Sequence, residues 1–256
     1  MRTYEAGVGE DEYGAVTPGY RSYRRPDERI ARVIARALGD ARSVLNVGAG
    51  TGAYESETHD TTAVEPSLAL RAQRPAQLAT AIDAVAEDLP FDDGQFDAAM
   101  TLFSVHQWSD AAAGLREMRR VTRGPVAVLT RDPARVRNFW LYEYAPEVLE
   151  TEVRRYPPLD RLTAALGGTV TAQIVPIPLD CTDGFTEAYY GRPEMLLDPA
   201  ARQACSAWSF VDDAARLAFD ASLRRALGSG AWDEAFGHLR HRPTYNGSLV
   251  LLRAVL

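Results

Sequence analysis

Apolar residues at positions 30, 33, 34, 37 and 38 fall on one face of a helix over 27–38. Acidic residues in its first turn and Gly39 just past its end supply start and stop signals. Short apolar runs then recur at 43–47, 62–65, 79–85, 96–105 and 125–130, with a helical stretch over 110–121. The run at 79–85 is the most weakly patterned. Strands alternating with helices in this way predict a parallel sheet covered on both faces.

After Asp132 the rhythm changes. Residues 133–167 read as helices rich in aromatics, including Phe139, Trp140, Tyr142 and Tyr144. A sixth strand is expected over 169–177. Residues 183–240 are again mostly helical, with Phe185, Tyr189, Tyr190, Trp208, Phe210 and Trp232, and 248–256 reads as a seventh strand. The pattern predicts a single domain over 1–256, with a mobile segment at 1–25. The helices at 133–167 and 183–240 are expected to form a lid over the carboxyl edge of the sheet. Taken position by position, the aromatics of that lid read as core filler.

Composition removes several function classes. The net charge of −7 argues against nucleic acid or an anionic membrane as the main partner. All 28 basic residues are arginine, which excludes Schiff-base chemistry and a lysine-bearing phosphate loop. Cys181 and Cys205 lie far apart and form no CxxC pair, so no metal site is expected. Two free thiols fit a reducing cytoplasm. The first residues lack the basic-then-apolar pattern of a secretory signal. No apolar run approaches the roughly 18–20 residues that span a bilayer.

The strongest chemical signal is Val44-Leu45-Asn46-Val47-Gly48-Ala49-Gly50-Thr51-Gly52, an apolar strand running into G-x-G-x-G. Glycines there let the backbone turn sharply and approach a ligand with no Cβ in the way. The dinucleotide spacing is G-x-G-x-x-G, and position 53 is alanine, which that motif permits only loosely. A second signal is Glu65 at the end of the second strand, where a carboxylate can accept both ribose hydroxyls of an adenosine. A third is Ala86-Glu87-Asp88-Leu89-Pro90-Phe91-Asp92-Asp93-Gly94-Gln95-Phe96-Asp97.

Together these stretches, from about residue 42 to 131, resemble the type-11 (UbiE-like) family of class I S-adenosylmethionine-dependent methyltransferases. The resemblance implies a Rossmann-like three-layer α/β sandwich: a mostly parallel seven-stranded sheet with its last strand antiparallel, plus the helical lid. It implies S-adenosyl-L-methionine as cofactor, released as S-adenosyl-L-homocysteine. Gly48, Ala49, Gly50 and Gly52 would line its methionine and ribose portion, and Glu65 would hold the ribose diol with Pro66 beside the adenine. Ala86 and Glu87 would contact the adenine edge, and Leu102 and Phe103 would pass near the methionyl end. Tyr23-Arg24-Arg25-Pro26 resembles a YRP element in which the arginine, here Arg25, pairs with the cofactor's carboxylate. The sequence departs from the family at Asn46 and Val85, where acidic residues are common. Asn46 keeps an acceptor and loses the charge that would face the cofactor's ammonium and sulfonium.

Val105-His106-Gln107-Trp108 follows the fourth strand, where relatives place residues between cofactor and substrate. His106 has the titration range of a general base, and it also reads as a loop-shaping residue. Trp108 reads as packing its helix onto the sheet, and His59, His238 and His241 as scattered surface residues. The expected partner is a small hydrophobic or aromatic acceptor, with no nucleic acid and no membrane. A cofactor-binding cyclase or regulatory module on the same scaffold is the alternative. A nicotinamide oxidoreductase is disfavoured by the glycine spacing and by the lack of a Tyr-x-x-x-Lys pair.

Overall fold

The computed structural model describes residues 20–56 and 58–255. Its centre is a six-stranded sheet of β1 (Ser43–Val47), β2 (Asp60–Val64), β3 (Ala98–Leu102), β4 (Val126–Arg131), β5 (Thr169–Ile174) and β8 (Leu249–Val255), in the order β2-β1-β3-β4-β8-β5. The pairings among β2, β1, β3 and β4 are parallel, and β8 runs antiparallel to both β4 and β5. Every residue of β4 is buried, as expected for a central strand covered on both faces.

Helix α1 (Glu28–Leu38) buries Ile30, Ile34, Ala37 and Leu38, and Asp27 caps it by accepting the Arg29 N–H. On another part of the sheet, α2 (Ala111–Arg120) and α4 (Leu159–Leu166) share one core: Leu115, Met118, Leu162 and Leu166 are all essentially inaccessible. Part of the stretch expected as lid, residues 159–166, thus packs in the sandwich.

One expected strand is missing. Residues 79–85 make only a single bridge, Ile82 to Val64, closed by Ile82 N–H to Ala63 O and Glu65 N–H to Ile82 O. Only Ala81 in that run is fully buried, and Ile82 is exposed, so too little apolar surface holds a seventh strand on the edge. The expected strand 169–177 also divides. Pro176, which has no N–H for a ladder, separates β5 from β6 (Ile177–Pro178), and β6 pairs with β7 (Thr244–Tyr245) in a separate ribbon.

The remaining helices, among them α3 (Pro146–Arg155) and α5 (Asp213–Ser229), pack with short 3-10 segments into a cap. Phe139, Trp140, Tyr189, Tyr190, Trp208 and Trp232 are at most 4% exposed and belong to the same core cluster as Ile30 and Leu129. These aromatics are the interior of the cap. Residues 20–25 fall within the segment expected to be mobile: 20–23 form a helical turn and Arg24 bridges to Asp183, while 1–19 lie outside the described residues.

Candidate functional site

The glycine loop leaves β1 and returns to β2 through residues 48–59, and no helix forms there among the described residues. Parallel strands are usually joined through a helix, so this loop must be fastened by other means. Its main chain provides them: Ala49 N–H bonds Val64 O at 2.9 Å and Gly52 N–H bonds Ala49 O at 2.9 Å. Gly48 has φ +67°, and a Cβ there would stand 1.9 Å from Ser104 Oγ. Gly50, at φ +54°, faces open space. One glycine permits a close approach of chain to chain; the other leaves room for a ligand.

Glu65 is 5% exposed and sits against this loop. Its two carboxylate oxygens accept the N–H groups of Gly50 (2.8 Å) and Ser67 (2.9 Å). Burial pushes its carboxyl pKa above the ordinary value, against the pull of those amides and of Arg71 and Arg74. Asn46, buried at 2%, donates from Nδ2 to Glu55 Oε1 at 2.9 Å, and Glu55 pairs with Arg74 at 2.7 Å. Asn46 Oδ1 has no hydrogen-bond partner.

A cleft opens beside these groups at the carboxyl ends of β1, β2 and β3. It is lined by Asn46, Gly48, Ala49, Gly50, Glu65, Leu102 and Phe103, all named from the sequence. Arg24, Tyr54, Ser104, Gln107 and Asp183 line it as well. Asp183 comes from the cap: it receives Arg24 Nε at 2.5 Å and Tyr54 Oη at 2.9 Å. The Arg24 guanidinium lies 5.2 Å from the centre of the Phe103 ring, which in turn lies 5.3 Å from that of Phe185.

Other residues named from the sequence stand elsewhere. Arg25 is exposed and lies with Arg29 and Arg32 in a separate surface notch; Arg24 is the arginine at the cleft. Glu87 accepts from Ser109 Oγ and Asp110 N–H, which ties the 86–97 stretch to the start of α2. Ala86 is buried under Trp108 and Gly114, and Trp108 packs α2 onto the sheet while donating to Ser104 Oγ. Gly52 and Pro66 flank the cleft without lining it.

His106 turns toward the cap. It stacks on Tyr156 with ring centres 4.3 Å apart, and its Nδ1 has no hydrogen-bond partner. Burial, and then the charges of Arg155, Arg131 and Arg24, hold its pKa well below 6.5, so the imidazole is neutral at neutral pH. Arg131, at the end of β4, forms a buried ion pair with Glu152 of α3. The sequence offers no local signal for Asp183, Glu55 or Glu152, whose partners lie far along the chain or face a departure from the family pattern.

A cleft at the carboxyl ends of parallel strands, with a glycine loop and a strand-end carboxylate, stands where Rossmann-like sheets bind their ligands. Comparison with known proteins gives the kind. Residues 45–126 match the family model described as Methyltransferase domain, type 11. The chain is 30% identical over 134 residues to a ubiquinone/menaquinone biosynthesis C-methyltransferase of Geobacter sp. (strain M21), covering 44% of this chain and 57% of that enzyme. The chain thus spans only about half the length of the curated relatives it matches. A crystal structure of a putative methyltransferase from an antibiotic biosynthesis pathway of Anabaena variabilis superposes with a TM-score of 0.86 at 27% identity, covering 92% of this chain and all of that one. The [4+2]-cyclase SpnF shares the fold, with a TM-score of 0.51 at 17% identity over 96% of this chain and 95% of its own. Residues 45–126 thus resemble a methyltransferase domain, and the chain shares nearly its whole fold with the Anabaena variabilis structure.

Proposed function

We propose that this protein transfers a methyl group from S-adenosylmethionine to a small molecule. The observation that carries the reading is the meeting of Glu65, the open face of Gly50 and the unpartnered Asn46 Oδ1 in one cleft. These groups suit a nucleoside with a cationic tail. Each Glu65 oxygen takes one backbone N–H, which leaves lone pairs for ribose hydroxyls. Gly48, Ala49 and Gly50 would flank the ribose and methionine portion. Pro66 would stand beside the adenine, and Leu102 and Phe103 would edge the methionyl end. Arg24 takes the role expected of Arg25 at the carboxylate. When bound, S-adenosylmethionine supplies a methyl group on sulfonium, a good leaving group.

The chain's own work is then to align a nucleophile with that carbon and to exclude water. The acceptor would lie between Phe103, Phe185 and the His106–Tyr156 stack, a setting suited to a flat apolar or aromatic molecule. His106 is neutral, and the burial and arginine charges that keep it so weaken it as a base, which favours a role in positioning the acceptor. The buried free thiols Cys181 and Cys205 suit a reducing cytoplasm. A second reading, cofactor binding without methyl transfer, is supported by Asn46 standing in place of an acid and by the occurrence of a cyclase on this fold.

Calorimetric titration with S-adenosylhomocysteine, with NAD as control, tests the cofactor site. One-to-one micromolar binding is expected, weaker by about tenfold or more in Gly50→Arg and Glu65→Ala. No binding to the folded protein, or equal binding of NAD, would overturn the reading. Methyl transfer to phenolic and quinol acceptors then separates the enzyme from the binding module.

A further inference from the structure

The departure at Asn46 has a structural counterpart nine residues on. Asn46 lies in β1, in register with Ala63 of β2 and Met100 of β3, at the middle of the cleft floor. A carboxylate has only acceptors, so the contact with Glu55 fixes the orientation of the Asn46 amide: the NH2 faces Glu55 and the carbonyl oxygen faces away. That oxygen is buried, belongs to a cleft-lining residue and has no partner. A buried acceptor left in this state is costly unless a ligand donor meets it.

Glu55 is itself held. Its second oxygen pairs with Arg74, and the two side chains are 2% and 4% exposed. Arg74 also reaches Gly50 O at 3.4 Å and Ala79 O at 3.0 Å, which fastens the helix-free loop. The carboxylate, and not the guanidinium, is the member that touches Asn46. Glu65 stands at the end of β2, where a ribose would lie, while Leu102 and Phe103 follow β3. Asn46, between them on β1, therefore faces the part of a ligand that leads away from the ribose.

Building on the methyltransferase reading, we propose that Glu55 is a positioning residue for the amino-acid end of the cofactor. It orients Asn46 so that the carbonyl oxygen receives the cofactor's ammonium, and it supplies from behind the negative charge that the amide lacks. One consequence runs against the family pattern. Restoring the acid with Asn46→Asp sets two carboxylates about 3 Å apart, which forces one of them to take a proton. The acid common in relatives therefore weakens binding here, and it works only when Glu55 gives up its charge.

The test uses two ligands: S-adenosylhomocysteine, and 5′-methylthioadenosine, which has the same nucleoside and thioether but no amino-acid end. Asn46→Asp and Glu55→Gln should each weaken S-adenosylhomocysteine by about tenfold, as expected for a disturbed charge-assisted contact, and leave methylthioadenosine within about twofold. The double variant, in which an amide at 55 donates to a carboxylate at 46, should recover S-adenosylhomocysteine to within about threefold of wild type. Melting curves establish that each variant is folded. Asn46→Asp preserves side-chain shape, so it tests the proposal even if Glu55→Gln unfolds. Tighter binding by Asn46→Asp, unchanged binding by folded Glu55→Gln, or equal losses for both ligands would overturn the proposal. A wild-type protein that binds neither ligand would overturn the cofactor reading itself, and the proposal with it.

Discussion

The two sides of the cleft are held by different means. On the glycine-loop side the chain is fastened in part by the loop's own main chain: Ala49 to Val64 and Gly52 to Ala49 through backbone, and Gly50 N–H to the Glu65 carboxylate, with Arg74 bracing the loop from nearby. On the cap side it is fastened by side chains from distant segments. Arg24 and Tyr54 converge on Asp183, Glu187 receives the N–H and hydroxyl of Ser248, and Arg131 pairs with Glu152. Backbone geometry restricts which residues can stand at a position, so the first side leaves a motif in the sequence. Side-chain pairing across long separations admits many solutions, so the second side leaves none.

The largest expected effect comes from breaking the cap side. Glu152 is 7% exposed in its ion pair with Arg131, which is 2% exposed, and it also accepts from Thr186. Glu152→Gln would remove the ion-pair partner of the buried guanidinium and leave Glu187 as the carboxylate acting on it, with a cost of up to about 3–5 kcal/mol by denaturant unfolding. Replacing both partners with methionine should recover most of that loss, because two apolar side chains leave no charge to solvate. Equal destabilisation by the single and double variants would mean that the pair matters for shape and not for charge.

A smaller loss is expected on the backbone side, and it separates two glycines that look alike in the sequence. A Cβ at Gly48 meets Ser104 Oγ at 1.9 Å and Ser104 Cβ at 2.7 Å, and Ser104 is pinned by the Trp108 indole. Gly48→Ala should cost about 2–3 kcal/mol from overlap and left-handed strain together. Adding Ser104→Gly should relieve the overlap and leave the strain together with the lost acceptor of the Trp108 indole. Gly50→Ala meets nothing within 4 Å and should cost only about 1 kcal/mol, the left-handed penalty alone. If the two single variants unfold at the same denaturant concentration, the distinction between packing glycine and ligand-facing glycine is wrong.

The same difference explains what the sequence could reveal. The parallel order of β2, β1, β3 and β4 follows from short apolar runs, and the loop, Glu65, Leu102 and Phe103 follow from spacing within about sixty residues. The strand expected over 79–85 failed because alanines supply little apolar area for an edge, which periodicity does not weigh. The sequence points to Arg25 where Arg24 lines the cleft, because adjacent arginines differ only in direction, and Arg24 is turned inward by Asp183, whose position depends on how the cap folds back. The aromatics of the cap read position by position as core filler, and Trp140, Tyr190, Trp208 and Trp232 are indeed buried in the core. The Asn46–Glu55 contact is hidden in the sequence for a related reason. Nothing in the local pattern at Glu55 marks it as the partner of an amide nine residues earlier.

The smallest expected effect sets the two sides against each other in pH. On the cap side His106 has its folded-state pKa held well below 6.5. Its unfolded form therefore binds a proton more readily, and the stability tied to the neutral ring is present above pH 6.5 and lost as pH falls toward the folded value. On the loop side Glu65 has its pKa raised above 4.5, so the sign reverses: the stability it carries is present below pH 4.5 and lost as pH rises through the folded value. His106→Gln should thus gain on wild type toward acid, and Glu65→Gln should gain on wild type as pH rises from 4.5. Chemical unfolding of wild type and both variants across this range gives difference curves in which other titrations cancel. Curves of opposite slope would locate the two desolvated groups on opposite sides of the cleft's charge balance. A flat curve for His106→Gln would mean that its imidazole is as well solvated as in the unfolded chain, and would break the contrast at its cap-side end.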